Sequence, residues 1–266
     1  MSTIDPSLLF SMFKGDPGTR KSTEALTYPR PQYWFSWDRK MESMMLPIQK
    51  FGINPKDIKY DDYEDWLKAL NQLEKFQVDC PYKTLVIDSI TSMADMTLRA
   101  TKKSKSGVKR QSGKAAGMQV GGIPVNEMED YNAESSALNE LIALCKDIHK
   151  FHKVNIILIA HVIQAEYKSQ DGETHFSRTI VTAGKRVAPK IPAYCGEVYH
   201  FNIEKGFDVA QGGSYALLTE HTGDDFARTG LPLDKKIIFG NDPLYDKWIL
   251  PAINKLKQNP DKPTSF

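Results

Sequence analysis

The sequence is poor in cysteine and has neither a long apolar run nor an excess of charge of one sign. Its 266 residues contain three cysteines, Cys80, Cys145 and Cys195, whose wide spacing suits a reducing compartment and excludes a disulfide framework or a zinc knuckle. No run approaches the roughly 18 apolar residues that cross a membrane, and the first residues lack the charged and apolar regions of a signal peptide. We therefore expect a cytoplasmic protein without a membrane partner.

The overall composition is that of an ordinary globular protein. Hydrophobic residues make up 41% and charged residues 26% of the chain, which argues against a disordered or fibrous protein. Because the formal net charge is only +2, any contact with nucleic acid has to be made by a local patch. The length favours one domain over residues 1–266, with a core over 1–165, a β-rich extension over 166–245 and a closing helix and tail over 246–266.

Apolar runs alternate with amphipathic stretches along most of the chain. Strand-like runs at 8–13, 32–37, 83–87 and 154–160 are separated by helical patterns such as 63–76 and 127–153. This alternation predicts an α/β fold with a mostly parallel sheet flanked by helices. Short strand-like segments follow at 179–182, 197–203, 215–220 and 236–239. The Asp-Gly and Gly-Gly pairs between some of them predict an antiparallel C-terminal β extension.

A glycine-rich segment directly follows the first predicted strand. It consists of Gly15, Asp16, Pro17, Gly18, Thr19, Arg20, Lys21, Ser22 and Thr23. Against the phosphate-loop pattern G-x-x-x-x-G-K-[ST], the first glycine, the lysine and the serine match, while Arg20 occupies the second glycine position. Such a loop curls backbone N–H groups around phosphate oxygens, its lysine reaches the β and γ phosphates, and its hydroxyl ligates Mg²⁺. The alternative is a Gly-Pro turn before a helix, with incidental cations.

A second acidic signal lies at the end of another buried strand. Residues 83–87 form an apolar run that Asp88 follows directly. A carboxylate at the carboxyl edge of the sheet can meet a metal ion from the Ser22 side, so the pair predicts an Mg²⁺ site. The alternative for Asp88 is the N-cap of a helix that begins at Ser89.

These motifs together resemble one division of the phosphate-loop proteins. The segments GDPGTRKST, YKTLVIDSITSM and VNIILIAHV look like those of RecA-like ATPases, most closely the phage recombination ATPases of the Sak, or single-strand annealing, type. The likeness covers residues 8–239. It implies a RecA-like core that binds ATP and Mg²⁺, slow or DNA-stimulated hydrolysis, and location in the host cytoplasm. It also implies a homo-oligomer, ring or filament, acting on single-stranded DNA, with a single-strand DNA-binding protein as a further partner.

The resemblance also implies roles for four residues outside the phosphate loop. Asp88 is followed by Ser89 and not by a second acid, so the family's water-orienting carboxylate is expected after the second strand, where Asp38 is preferred and Glu42 is the alternative. Asp38 could equally cap a helix. His161, after the 154–160 run, corresponds to the γ-phosphate sensor, or is a structural histidine. Arg228, in a segment resembling K-x-R, corresponds to an arginine finger, or pairs with Asp224 or Asp225.

One stretch has no acidic residue at all. Residues 97–126 are rich in lysine, arginine, glycine and serine, which predicts a mobile basic loop that could track a DNA backbone. The cations assigned to DNA are Lys102, Lys103, Lys105, Lys109, Arg110 and Lys114. Residues 164–190 are a second candidate. The alternative for both is a solvated loop.

Three functions follow from these patterns. The first is an ATP-dependent recombination ATPase on single-stranded DNA. The second is a KaiC-like regulatory ATPase or a nucleotide-dependent interaction module without DNA binding. The third, a small-molecule kinase, needs a lid with arginines and an acceptor site, and the β-rich tail fits a RecA-like core better.

Overall fold

The three-dimensional structure is a computed structural model. It describes residues 5–105, 119–120, 123–124, 128–168, 174–182, 188–204, 214–223 and 225–258. None of the helices in these ranges has the length and apolar character needed to cross a membrane.

Most strands of the described residues join one mixed sheet. In chain order the strands are β1 (Phe10–Gly15), β2 (Gln32–Ser36), β3 (Ile58–Asp62), β4 (Thr84–Asp88), β5 (Gln119–Val120), β6 (Ile123–Pro124), β7 (Asn155–Lys168), β8 (Thr174–Ile180), β9 (Glu197–Ile203), β10 (Tyr215–Leu218) and β11 (Lys236–Ile238). The spatial order is β11-β10-β9-β1-β7-β4-β2-β3, with β8 paired to β7. Strands β3, β2, β4, β7, β1 and β9 run parallel, so their carboxyl ends meet at one edge.

The helices cover both faces of the sheet. They are α1 (Lys21–Ala25), α2 (Met45–Lys50), α3 (Trp66–Val78), α4 (Ile90–Lys105), α5 (Met128–His152) and α6 (Leu250–Gln258). Short 3-10 helices span Met41–Met44, Pro55–Asp57 and Ala188–Tyr194, and a π-helical turn over Tyr245–Ile249 leads into α6. Asp65 caps α3 by accepting from the Leu67 N–H at 2.9 Å.

Strand β1 separates two hydrophobic cores. Met12 packs into a cluster with buried residues of α3, α4 and α5, whereas Phe13 packs into one with residues of α1, α2 and α6. Because side chains alternate along a strand, Lys14 lies on the same face as Met12. The chain then turns at Gly15 toward α1, on the other face.

The predicted fold class is confirmed by the strand order. Parallel strands with flanking helices form the centre, and the antiparallel strands β10 and β11 extend the sheet beyond β9. The prediction of a single domain over 1–266 stays a prediction. Strand β3 was not predicted, because most of its residues are polar and exposed. It is an edge strand that is held by backbone pairing to β2.

Two local predictions were wrong. The basic segment was expected to be a loop from residue 97, but 97–105 belong to α4, where Thr97 and Leu98 are buried. His161 was expected to end its strand, but β7 continues through it to Lys168, because β8 pairs with its second half.

Candidate functional site

The glycine-rich loop joins β1 to α1 at the carboxyl edge of the sheet. A Cβ atom on Gly15 would lie 2.4 Å from the carbonyl oxygen of Phe201, so only glycine fits there. Gly18 has φ of 81° and Arg20 has φ of 68°. These left-handed residues coil the loop tightly between the strand and the helix.

Lys21 holds this coil together from inside. Its buried ammonium donates to the carbonyl oxygens of Gly15, at 2.9 Å, and Asp16, at 2.8 Å, and to the Thr19 hydroxyl at 3.4 Å. Burial lowers the pKa of Lys21 to about 8, although Asp88, Asp16 and Asp38 oppose this shift. The ammonium is therefore charged at neutral pH, with its three protons directed at the loop's own oxygens.

Arg20 replaces the expected glycine at a position where the backbone is left-handed. The side chain offsets this cost with several contacts to other parts of the chain. Its guanidinium donates to the Gly240 carbonyl, pairs with buried Glu24 at 2.7 Å, and lies 5.0 Å from the ring centre of Tyr215 and 5.5 Å from that of Phe239. Arg20 therefore fastens the phosphate loop to the C-terminal β extension.

Ser22 and Asp88 lie close enough for the Ser22 hydroxyl to lower the pKa of the Asp88 carboxyl. Burial raises the pKa of Asp88 to about 6, and the nearby Asp38 adds to the shift, whereas Ser22, His161 and Lys21 oppose it. A hydroxyl beside a desolvated carboxylate suits Mg²⁺, which prefers oxygen ligands and keeps several waters. Such a site differs from one built by three or more acidic, histidine or cysteine side chains. The described residues contain no cluster of that kind.

The helix-cap alternatives for Asp88 and Asp38 are taken by other residues. Ser89 accepts from the Ser92 N–H at 3.2 Å and so caps α4. Asp38 instead accepts hydrogen bonds from the Ser92 and Ser89 hydroxyls, and its other oxygen lies 3.5 Å from His161 Nε2. Burial raises the pKa of Asp38, but the contacts with His161 and Ser92 outweigh it and lower the pKa to about 2.

His161 lies where the parallel pairing of β7 with β1 ends, opposite Gly15. Its backbone N–H donates to the Thr91 hydroxyl at 3.1 Å. Its Nδ1 atom is buried and, among the described residues, has no hydrogen-bond partner. Among the described residues, His161 therefore contacts Asp38 through Nε2, while its buried Nδ1 has no partner.

A cavity of about 240 Å³ opens between these groups. Its lining includes most of the predicted residues of the phosphate loop together with Asp38, Asp88 and His161. Residues that the sequence interpretation did not single out also line it, namely Ser36, Lys40, Met41, Ser43 and Met44. Glu42, the alternative to Asp38, is exposed on the 3-10 helix and is absent from the described lining.

Arg228 lies away from this cavity. Its guanidinium donates to the backbone carbonyls of Cys195, at 3.1 Å from Nε, and Ala193, at 3.3 Å. The proposed partner Asp225 instead pairs with Arg178 at 3.0 Å, and Asp224 lies outside the described residues. Arg228 is thus held against its own chain.

The predicted DNA-contacting cations are described only in part. The backbone of Lys102, Lys103 and Lys105 lies in the last turns of α4, whereas Lys109, Arg110 and Lys114 lie outside the described residues. The second candidate region, 164–190, contains the β7–β8 hairpin.

Comparison with known proteins gives a family match and similar solved structures. Residues 12–230 match the model of a family described as AAA domain. Among solved structures, a KaiC-like protein from the hyperthermophilic archaeon Pyrococcus horikoshii OT3 is similar, with 13% identity, a TM-score of 0.47, and coverage of 87% of this chain and 89% of that one. No curated protein matches the sequence.

Proposed function

The chain belongs to the AAA domain family and is a P-loop ATPase, and from this premise we propose that it hydrolyses ATP to act on single-stranded DNA. The observation that supports hydrolysis most strongly is the convergence of Lys21, Ser22, Asp38 and Asp88 on one cavity at the carboxyl edge of the sheet. Ligands of open α/β sheets bind at this edge.

Lys21 is the group we assign to the β and γ phosphates of ATP. In the structure the buried ammonium of Lys21 is stabilised by hydrogen bonds that it donates to carbonyl oxygens of the loop. Phosphate oxygens are stronger acceptors for an ammonium than carbonyl oxygens, so substrate would draw the side chain away from the loop.

Ser22 and Asp88 are the residues we assign to Mg²⁺. The ion neutralises charge that develops on the transferring phosphoryl group. These two side chains supply the oxygen ligands, and burial of Asp88 makes its carboxylate a good partner for a cation.

Asp38 is the residue we assign to orientation of the attacking water. With its pKa lowered to about 2 it stays a carboxylate at neutral pH, so it accepts a hydrogen bond but is a weak base. The contact with His161 ties that carboxylate to β7. We propose that His161, which lines the cavity, senses the γ-phosphate.

The test of hydrolysis is ATP turnover by wild type and Lys21→Ala. Removing the ammonium group assigned to the β and γ phosphates should lower turnover at least about a hundredfold. Lys68→Ala, which changes an exposed lysine on α3, is the matched control and should turn over ATP normally. Turnover by Lys21→Ala at the wild-type rate would refute the assignment.

The DNA proposal rests on the acid-free segment 97–126 in a nearly neutral chain. Its test is titration of fluorescein-labelled single-stranded DNA at two salt concentrations, with and without ATP and Mg²⁺. We expect nucleotide-dependent binding that weakens steeply with salt, because phosphate contacts release counterions. Absence of such binding would favour the KaiC-like regulatory ATPase or interaction module.

We further propose that Arg228 reaches a neighbouring subunit in a ring or filament. It would first have to leave the carbonyls of Cys195 and Ala193. Arg228→Ala and Asp38→Ala should each lower turnover, and mixing the two should partly restore it, because some interfaces then contain both wild-type residues. Mixtures no more active than either variant would contradict a shared site.

A further inference from the structure

A second cavity lies at the carboxyl edge of the sheet, separate from the phosphate loop. Its volume is about 370 Å³, larger than the 240 Å³ of the first cavity. Its lining includes Lys14 from β1, Arg178 and Thr179 from β8, and His221 and Phe226 from the segment after β10. None of the residues assigned above to ATP or Mg²⁺ lines it.

Lys14 is the unusual member of this cavity. Its side chain is only 2% exposed. Among the described residues, its ammonium makes one hydrogen bond, a long one of 3.5 Å to the backbone carbonyl of Arg178. A buried ammonium is costly unless it is well paired. Within the described part of the chain, Lys14 is therefore a poorly paired cation that lines the cavity.

The charges around Lys14 do not neutralise it. Asp225 is nearby but pairs with Arg178 at 3.0 Å. Burial lowers the pKa of His200 to about 4, so this neighbour is neutral at physiological pH. Two cations therefore face one carboxylate among these groups. The excess positive charge suits an anionic ligand.

The cavity also has an aromatic part, formed by Phe226 and His221. Phe226 is 38% exposed, and its ring packs edge-on to His221 with 6.0 Å between ring centres. An exposed aromatic face binds a planar base by stacking and does not depend on which base is present. A cation and an aromatic ring that line one cavity match the phosphate and the base of a nucleotide.

We propose that this cavity is a second binding site, which takes a nucleoside phosphate with the phosphate on Lys14 and Arg178 and the base against Phe226. The ligand is either a free nucleotide or one residue of single-stranded DNA, since both present the same chemistry. The inference does not rest on ATP hydrolysis at the phosphate loop.

The test uses Lys21→Ala as the background, so that the phosphate loop contributes little to binding. Two probes separate the sources: 5′-AMP, followed by calorimetry, and fluorescein-labelled (dT)15, followed by anisotropy. In this background, Lys14→Met should weaken binding of at least one probe about tenfold or more, because a charge-assisted hydrogen bond is lost. Lys68→Met, at an exposed lysine, is the matched control.

Phe226→Ala is the second variant, and it keeps the test valid if Lys14→Met fails to fold. It removes the stacking surface at a partly exposed position and should also weaken binding several-fold. In addition, Lys14→Met should unfold at a higher temperature than its parent without ligand, because it removes a poorly paired buried charge.

Each outcome is decisive for the cavity. Loss of AMP affinity in both variants supports a free nucleotide, and loss confined to (dT)15 supports a nucleotide within a strand. If neither probe binds, or if neither substitution changes the affinity of either probe, the proposal is overturned. Because ATP turnover is measured separately, this failure is distinguishable from failure of the ATPase assignment.

Discussion

Two buried lysines near the end of β1 have the same shifted pKa and very different surroundings. Burial lowers the pKa of both Lys14 and Lys21 to about 8. Lys21 directs its protons at three oxygens of its own loop, whereas Lys14 has one long hydrogen bond among the described residues. The difference teaches that burial alone does not identify a site. The ammonium of Lys21 is hydrogen-bonded to oxygens of its own loop. The ammonium of Lys14 has no comparably close acceptor among the described residues.

Contacts with the C-terminal segment hold the phosphate loop in place. Arg20 connects the phosphate loop to Gly240 and Glu24, and Glu24 in turn accepts from the Leu244 N–H at 2.8 Å. Thr27 accepts from the Tyr245 N–H at 3.2 Å. The phosphate loop and α1 are thus anchored to the C-terminal segment. A site for a highly charged substrate gains from such preorganisation.

The largest effect should come from Asp88→Asn, which tests whether the Lys21 cavity works with a metal ion. Replacing the carboxylate weakens the proposed Mg²⁺ site, and we expect turnover to fall about a hundredfold or more. The measurement is ATP turnover as a function of Mg²⁺ concentration. Asp95→Asn, at an exposed position on α4, is the control. An unchanged Mg²⁺ dependence in Asp88→Asn would contradict the assignment of a metal ion to this cavity.

A smaller effect is expected from Arg20→Gly, which restores the family's glycine and breaks the anchor. Glycine relieves the left-handed backbone, but it leaves buried Glu24 without its cation. We expect a net loss of about 2 kcal/mol in the free energy of unfolding at pH 8.5, since a stranded buried charge costs more than the backbone gains.

Urea unfolding measures this loss. Adding Glu24→Gln to Arg20→Gly should recover part of it, because the stranded charge is then gone. If Arg20→Gly were as stable as wild type, the contacts of Arg20 would not anchor the loop.

The third prediction concerns the pH dependence of the same anchor. Burial raises the pKa of Glu24 to about 7 from an ordinary value of 4.5, although Arg20 opposes this. Between these pH values the folded state holds a proton that the unfolded state releases, so the contribution of Glu24 to stability falls as pH rises through this window. Urea unfolding of wild type and Glu24→Gln from pH 4 to 8 should show a steeper fall in wild type, because the raised pKa of Asp88 contributes a fall to both proteins. Parallel curves would contradict the raised pKa.

The sequence predicted the part of the site that depends on strand order. The loop after β1 and the aspartate that ends β4 come together because parallel strands end at a shared edge. Asp38 joins them for the same reason, since β2 lies beside β4. These contacts follow from local patterns and one topological rule.

The rest depends on contacts between distant residues, which no local pattern encodes. Arg20 finds Tyr215 and Phe239 only when the C-terminal strands pack beside β9 and β10. The basic charges of 97–105 suggested a loop, but Thr97 and Leu98 are buried and α4 continues to Lys105. The Lys14 cavity likewise exists only after β8 folds back on β7.

The central claim is that the coil around Lys21 binds a triphosphate with Mg²⁺. Calorimetric titration of ATP into wild type and Lys21→Ala, each with and without Mg²⁺, tests it most directly. We expect wild type to bind ATP in an Mg²⁺-dependent manner, with an affinity that falls at least about tenfold in Lys21→Ala. Equal uptake by both proteins, or none by wild type, would contradict it.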